Sequence, residues 1–242
     1  MSITNNSNGR LCNQIIRNLA LSLLARKYDL YVEYSNYEAI NNILGIELHV
    51  GNKKHDKTTK IDDDKFLTYY NNDVDNDANF DVMASYFQGR DITDILFRHL
   101  RDNSNTIIER NPFKQRYNNN NDLFIHIRLT DAARFNVGID YYLKCIEALG
   151  FDNLYIASDD FRHETIQQIN YKYPNAIFVN ADPVRTIQFG STCRHIVLSH
   201  GSFSAIIGYL AFFSQVYYPN VEPGWCPLDM FINKGFRPID RK

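Results

Sequence analysis

The sequence has few cysteines for a disulfide scaffold and no apolar stretch of the length that a membrane segment needs. Among its 242 residues are four cysteines, which lie far apart without a C-x-x-C pair, so we expect free thiols in a reducing compartment. The longest apolar stretch, residues 205–213, is too short to span a bilayer, and the N-terminal segment lacks the apolar core of a signal peptide. The formal net charge is only -2, which indicates neither a nucleic acid nor a membrane surface as partner. These absences predict a cytoplasmic protein without a membrane span.

Nucleotide-binding loops and metal-ligand patterns are also missing. The sequence has no G-x-G-x-x-G or Walker loop, which disfavours a plain nucleotide-binding regulator. The acidic run at residues 73–77 lacks the glycine and the terminal acid of a calcium loop. We therefore expect no metal site and no cofactor.

The first part of the chain, residues 1–117, is predicted to form one domain. Apolar residues recur at helical spacing from Leu11 to Leu24. Further elements are expected as strands at 28–34 and 46–50 and as helices at 37–44 and 92–101. Residues 51–80 are polar with little periodicity, which predicts an exposed loop. The polar tract at 118–121 is the best candidate for a linker.

From residue 118 to residue 218, apolar strands alternate with helices. Strands are predicted at 122–129, 154–158, 176–180, 195–199 and 215–219, with helices between them at 140–149, 161–170, 183–193 and 204–213. Strands that are apolar throughout belong to a parallel sheet covered on both faces. The sequence therefore predicts an α/β fold, followed by a C-terminal tail at 219–242.

Polar side chains follow these strands at the points where the strands end. Arg128 and Asp131 follow the first strand, Asp159 follows the second, and the segment S-H-G-S-F-S at 199–204 follows the fourth. Because ligands of open parallel sheets bind outside the carboxyl ends of the strands, this placement predicts a polar ligand above the sheet. A glycine turn before a helix start with two hydroxyls suits a phosphate.

Structural roles stay open for four of the polar and aromatic residues. Ser202 would also serve as an ordinary helix N-cap. Arg128 adjoins an apolar run and needs an anionic partner, either a ligand phosphate or a carboxylate. His126 lies inside the strand and fits a core histidine as well as a ligand contact. Trp225 fits core or interdomain packing better than stacking on a sugar.

Six short segments occur in an order that is shared with one enzyme family. The segments G-R-L-C-N-Q at 9–14, S-Y-F-Q at 85–88 and H-I-R-L-T-D at 126–131 are similar to the motifs G-x-L-G-N-Q, G-Y-F-Q and H-x-R-R-x-D. Residues 140–149, 154–160 and 199–210 are similar to Y-Y-x-K-A-I, S-D-D and N-S-S-F-S-W-W. These motifs belong to the α-1,2-fucosyltransferases of glycosyltransferase family 11, which the chain resembles, as it does the protein O-fucosyltransferases.

The resemblance implies a GT-B fold, in which two Rossmann-like domains hold the donor in the cleft between them. Residues 1–117 would be the acceptor-side domain and residues 118–218 the nucleotide-sugar-binding domain, with the tail packing back across the cleft. The reaction implied is an inverting, metal-independent transfer of fucose from GDP-fucose to a glycan hydroxyl. The expected partners are accordingly a nucleotide-sugar donor and a glycan acceptor, with no nucleic acid.

The resemblance also assigns roles to single residues. Arg128 matches the arginine that holds the donor β-phosphate, and the helix-start residues matching the phosphate-binding segment are Ser202, Phe203 and Ser204. His126 and Asp159 match positions near the nucleoside, and Arg10 and Asn13 match the loop that faces the phosphate. The predicted catalytic residues are Arg128, Asn13 and Asp131, of which Asp131 is either the base or a residue that orients Arg128.

Three positions depart from the family pattern. Leu129 replaces the second arginine, Cys12 replaces a loop glycine, and Ala205 with Ile206 replaces the tryptophan pair. These changes leave the donor sugar open, so a transferase of another deoxyhexose or of a pentose stays an alternative. An inactive relative that binds glycans or nucleotides is another.

Overall fold

The computed structural model describes residues 1–4, 9–83, 85–131, 133–222 and 224–240. The chain divides into two compact units, Met1–Arg110 and Asn111–Lys242. The division therefore lies a few residues before the expected boundary at 117/118. Each unit contains its own parallel sheet, which confirms an α/β architecture with two parallel sheets. None of the helices in the described ranges is both long and apolar enough to cross a membrane.

The first unit is built on a four-stranded parallel sheet in the order β2-β1-β4-β3. Its strands are β1 (Ser2–Ile3), β2 (Val32–Glu33), β3 (Lys57–Lys60) and β4 (Ala78–Asp81). Its helices are α1 (Leu11–Tyr28), α2 (Asp63–Asn71), α3 (Arg90–Asp102) and α4 (Ser104–Arg110), with a π-helical turn at Glu38–Ile43. The predicted first helix is thus present as α1, whose apolar face is buried in the core.

Residues 51–80 are largely exposed, as expected, but the expectation of a loop is wrong. This segment holds β3, α2 and most of β4. Phe66 and Phe80 anchor it, because both side chains are fully buried. Asp62 caps α2 by accepting a hydrogen bond from the Lys65 N–H. A few large aromatic residues therefore supply the core contacts of this segment, and the polar residues around them mask its secondary structure in the sequence.

The predicted strand at 46–50 is not a strand. Its backbone N–H groups are satisfied by side chains and by a turn instead of by a sheet neighbour. The Leu48 N–H donates to Asn41 Oδ1, and the His49 N–H donates to Ser22 Oγ. Leu48 is nevertheless buried, so the apolar pattern reflects core packing without strand pairing.

The second unit is built on a six-stranded parallel sheet in the order β7-β6-β5-β8-β9-β10. Its strands are β5 (Leu123–Ile127), β6 (Leu154–Ser158), β7 (Ile177–Phe178), β8 (His195–Val197), β9 (Gln215–Pro219) and β10 (Arg237–Ile239). Its helices are α5 (Ile139–Ala148), α6 (Glu164–Lys172), α7 (Pro183–Gly190) and α8 (Ser202–Tyr209). Counted along the unit, this is the order 3-2-1-4-5-6 of a doubly wound, dinucleotide-binding type of sheet.

The C-terminal tail contributes an edge strand that was not predicted. Strand β10 pairs in parallel with β9 through Arg237, Pro238 and Ile239. Proline lacks a backbone N–H and is tolerated at a sheet edge, where one side of the strand needs no partner. Because Arg237 and Pro238 are exposed, the segment carries no apolar signature.

Gly190, the last residue of α7, is expected to be required for the packing of this helix on β5. A Cβ atom at Gly190 would lie 2.7 Å from Cε1 of Phe124, whose ring is fully buried. We expect Gly190→Ala to lower the free energy of unfolding by about 1–2 kcal/mol through overpacking, as measured by urea denaturation. Gly150→Ala is the matched control, since no heavy atom lies within 4 Å of its added Cβ. Equal stability of the two variants would contradict this packing.

Candidate functional site

The sheet of the second unit has its topological switch point between β5 and β8. These two strands pair in parallel, with Leu123 opposite His195 and Ile125 opposite Val197. The chain leaves β5 toward α5 and leaves β8 toward α8, so a crevice opens outside their carboxyl ends. The structure brings the predicted residues Arg128, Ser202 and Ser204 to this edge of the sheet, directly after the two strands.

His126 and Ser204 join the end of β5 to the first turn of α8. His126 Nδ1 lies 2.6 Å from Ser204 Oγ, and the same hydroxyl accepts a hydrogen bond from the Ser199 N–H at 3.1 Å. Both side chains are buried, and the His126 ring packs against that of Phe203 at a centroid distance of 4.9 Å. Their polar groups are thus used within the fold, where they fix the strand end and the helix start.

The environment of His126 keeps its ring uncharged near neutral pH. Burial, opposed by the charge of Asp159 and aided by that of Arg128, lowers the pKa of His126 to about 4. A neutral imidazole can bond the Ser204 hydroxyl without the cost of burying a charge. This makes His126 a supporting residue of the crevice wall.

The first turn of α8 presents its backbone to the crevice. The N-cap is Gly201, with φ of 97°, and no side chain caps the helix there. Ser202 is therefore the first helical residue, so its alternative role as N-cap is wrong. Since the first N–H groups of a helix lack acceptors within the helix, they are available to an anion. Ser202 and Phe203 are partly exposed, in contrast to Ser204.

Arg128 is held by two carboxylates at the end of β5. Its guanidinium contacts Asp131, and its Nε lies 3.3 Å from Asp159 Oδ2. The side chain of Arg128 is 16% exposed, whereas that of Asp131 is 55% exposed. The contact agrees with an orienting role for Asp131, and the assignment of Asp131 as base stays a prediction.

Asp159 anchors the loop that follows β5. Its Oδ1 accepts a hydrogen bond of 2.7 Å from the Leu129 N–H, and its Oδ2 accepts one of 2.6 Å from the Thr130 hydroxyl. Burial by itself would raise the pKa of Asp159, but these hydrogen bonds and the charge of Arg128 outweigh it and lower the pKa. The carboxylate therefore stays ionised. Both of its oxygens accept hydrogen bonds from the loop, and Oδ2 also lies against the guanidinium of Arg128.

Arg10 and Asn13 lie in the first unit, at the start of α1. Arg10 is the exposed N-cap residue, and Asn13 Oδ1 accepts a hydrogen bond of 3.0 Å from Gln88 Nε2. Gly9 precedes them with φ of 93°, and a Cβ atom there would lie 2.5 Å from Asn13 Nδ2. Cys12, which departs from the family motif, is buried in the core of this unit, and its side chain is only 2% exposed.

Trp225 covers the turn before α8, a placement that the sequence did not reveal. Its ring stacks on Phe135 with centroids 5.9 Å apart. A Cβ atom at Gly201 would lie 2.8 Å from Trp225 Cη2, so the indole requires glycine beneath it. Trp225 is 39% exposed and therefore forms part of the outer wall of the crevice.

A larger open groove lies in the first unit between α2 and α3. Tyr70 and Arg98 line it together with three aspartates, Asp91, Asp94 and Asp102. None of the predicted site residues belongs to this groove. Its acidic lining disfavours a phosphate, so size alone does not make it the candidate site.

No family model matches this chain, and no curated protein matches it. Within the described part of the chain, no group of three or more His, Cys, Asp and Glu side chains could hold a metal ion.

Asp159 is expected to make the stability of the protein depend on pH. Because its folded pKa is lowered from the ordinary value of 3.8, its stabilisation is present above that pH and is lost as the pH falls through the folded pKa. We expect Asp159→Asn to cost about 2 kcal/mol at pH 7, and this cost should shrink in acid. Urea denaturation between neutral and acidic pH measures it.

Asp152→Asn is the control for that series, because Asp152 is exposed on a different turn. It should leave the free energy of unfolding unchanged at every pH. A cost for Asp159→Asn that stays constant across the acid range would contradict the ionised state of Asp159.

Proposed function

We propose that this chain is an inverting glycosyltransferase that transfers fucose from GDP-fucose to a glycan hydroxyl without a required metal ion. The observation behind this proposal is that Arg128 and the first turn of α8 follow β5 and β8, which are paired at the switch point of a doubly wound sheet. The six-motif resemblance supports the donor and the reaction. A GT-B fold and a cytoplasmic location belong to the same proposal.

The crevice supplies positive potential without a cluster of basic residues. Arg128 provides a permanent charge, and the start of α8 provides N–H groups at the positive end of a helix dipole. Asp131 and Asp159 fix the guanidinium, and their two negative charges outweigh its single positive charge, so the N–H groups of α8 carry much of the attraction for an anion. Such a site suits a dianionic diphosphate better than a neutral ligand.

Glycosyl transfer places its main electrostatic demand on the leaving group. As the bond between sugar and diphosphate breaks, the sugar becomes oxocarbenium-like and negative charge grows on the β-phosphate oxygens. A guanidinium and N–H donors that are held at this place before the reaction would stabilise the charge without reorganising. Arg128 would bind the leaving phosphate, and Ser202 with Phe203 would contribute backbone donors.

The acceptor hydroxyl must lose its proton during the transfer. Asp131 is the exposed carboxylate next to Arg128 and is the proposed base. Its contact with Arg128 also couples the two groups, because loss of Asp131 leaves the guanidinium held by Asp159 alone. A substitution at Asp131 would therefore change both proton transfer and phosphate binding.

The departure at Leu129 bears on the choice of donor. Leu129 is 1% exposed and packs in the core of the second unit. It takes the place of the second arginine of the family motif, and its apolar side chain has neither a charge nor a hydrogen-bond donor for an anion. The phosphate would therefore be held by one arginine of this motif, Arg128, together with the N–H groups of α8, and the sugar would be selected elsewhere.

Arg128→Ala is expected to abolish turnover of the donor. We expect kcat for GDP-fucose hydrolysis or transfer to fall by about 100-fold or more, because a preorganised donor to the leaving group is lost. Arg128→Lys should recover only part of this activity, since an ammonium cannot reproduce the planar fork. The measurement is release of GDP across a panel of nucleotide sugars.

Arg162→Ala serves as the control, because Arg162 is exposed before α6. It should leave turnover unchanged. Turnover of another nucleotide sugar would replace fucose in the proposal while keeping the reaction. No binding of any nucleotide sugar by the wild type would overturn it and would favour a binding module.

A further inference from the structure

Unpartnered polar atoms gather around one small cavity beside the crevice. In the described part of the chain, three buried side-chain atoms without a hydrogen-bond partner belong to two residues that line it, namely Tyr142 Oη and both ring nitrogens of His200, and Arg128, whose Nε is paired with Asp159, lines it as well. His200 is 4% exposed and Tyr142 is fully buried. Buried polar groups in native proteins are nearly always paired, so such a concentration indicates a ligand.

Three separate elements bring these residues together. Arg128 follows β5, Tyr142 lies in α5, and His200 precedes the N-cap of α8. Phe135 and Trp225 also line the cavity. The free volume is about 10 Å³, which is room for roughly one oxygen atom.

The chemistry of the lining fits a negatively charged oxygen. The hydroxyl of Tyr142 stays protonated, since burial raises its pKa, and it can therefore donate. Burial lowers the pKa of His200, against the opposing effect of the backbone carbonyls of Val221, Pro219 and Phe135, and the neutral ring keeps one N–H. No acidic side chain belongs to the described lining, so a cation would find no counter-charge there.

We propose that this cavity receives a phosphoryl oxygen of the bound nucleotide, and that His200 and Tyr142 are phosphate-binding residues. The identity of the nucleotide rests on the proposed function, whereas the anion site rests on the cavity itself. Arg128 would then bridge the open crevice and the cavity. The phosphate would receive hydrogen bonds from the protein interior as well as from the first turn of α8.

Two neighbouring tyrosines provide a matched pair of variants. Tyr142 has an unpartnered hydroxyl, whereas the Tyr141 hydroxyl donates to the Leu198 carbonyl at 2.8 Å. Tyr142→Phe should leave the stability of the ligand-free protein unchanged or higher, and should weaken binding of inorganic pyrophosphate and of GDP about tenfold. Tyr141→Phe should lower the melting temperature and leave both affinities unchanged.

His200 is tested by two substitutions that differ in their polar atoms. His200→Phe keeps a ring and removes both nitrogens, so it should weaken pyrophosphate binding about tenfold or more. His200→Gln keeps a donor and should stay within a few-fold of the wild type. The single tryptophan of the sequence, Trp225, lines the cavity, so its fluorescence reports binding during titration with pyrophosphate, GDP or guanosine.

The outcomes separate this inference from the proposed function. Wild-type affinity for pyrophosphate and GDP in both Tyr142→Phe and His200→Phe would overturn the cavity site, even if GDP-fucose were turned over. Pyrophosphate binding that depends on Tyr142, without turnover of any nucleotide sugar, would uphold the cavity site and remove the proposed function. Guanosine binding should be insensitive to both variants, because guanosine has no phosphate.

Discussion

The hydrogen bond between His126 and Ser204 is the interaction on which the candidate site depends. It ties the carboxyl end of β5 to the first turn of α8, across the point where the strand order reverses. Arg128 follows β5 and the open N–H groups of α8 follow β8, so both lie at the carboxyl ends of paired strands. The low pKa of His126 keeps the tie free of charge, which leaves the positive potential of the site to Arg128 and the helix.

A second constraint fixes the direction of Arg128. Asp159 holds the loop after β5 through the Leu129 N–H and the Thr130 hydroxyl, and it lies against the guanidinium from the β6 side. The proposed anion site is thus local, in a chain whose net charge is -2. The positive potential would come from the placement of Arg128 and of the helix start, and not from an excess of basic residues. A weakly acidic protein could bind a diphosphate in this way.

The second unit could be predicted from the sequence better than the first. Strands β6 and β9 occupy the predicted residues 154–158 and 215–219, because continuous apolar runs mark strands that are buried on both faces. In the first unit, β3 is a polar four-residue edge strand, and β1 and β2 have two residues each. Strands that short carry no periodicity, and their pairing is decided by tertiary contacts such as those of Phe80.

Part of the candidate site could also be predicted from the sequence. Arg128 and the start of α8 could be found because polar residues at strand ends are visible in a sequence. The sequence could not predict that Tyr142 and His200 line one cavity, since this depends on how α5 packs against the end of β8. The burial of His126 and Ser204 and the engagement of Asp159 likewise follow from packing, which motif order alone does not contain.

Chemical-shift mapping with GDP tests the central claim most directly, because it locates the ligand without requiring turnover. In an amide spectrum of the full chain, the account predicts saturable shifts at Gly201, Ser202 and Phe203 and at residues adjoining Arg128. Shifts confined to the groove between α2 and α3, or no shifts at millimolar GDP, would contradict an anion site at the switch point of the second sheet.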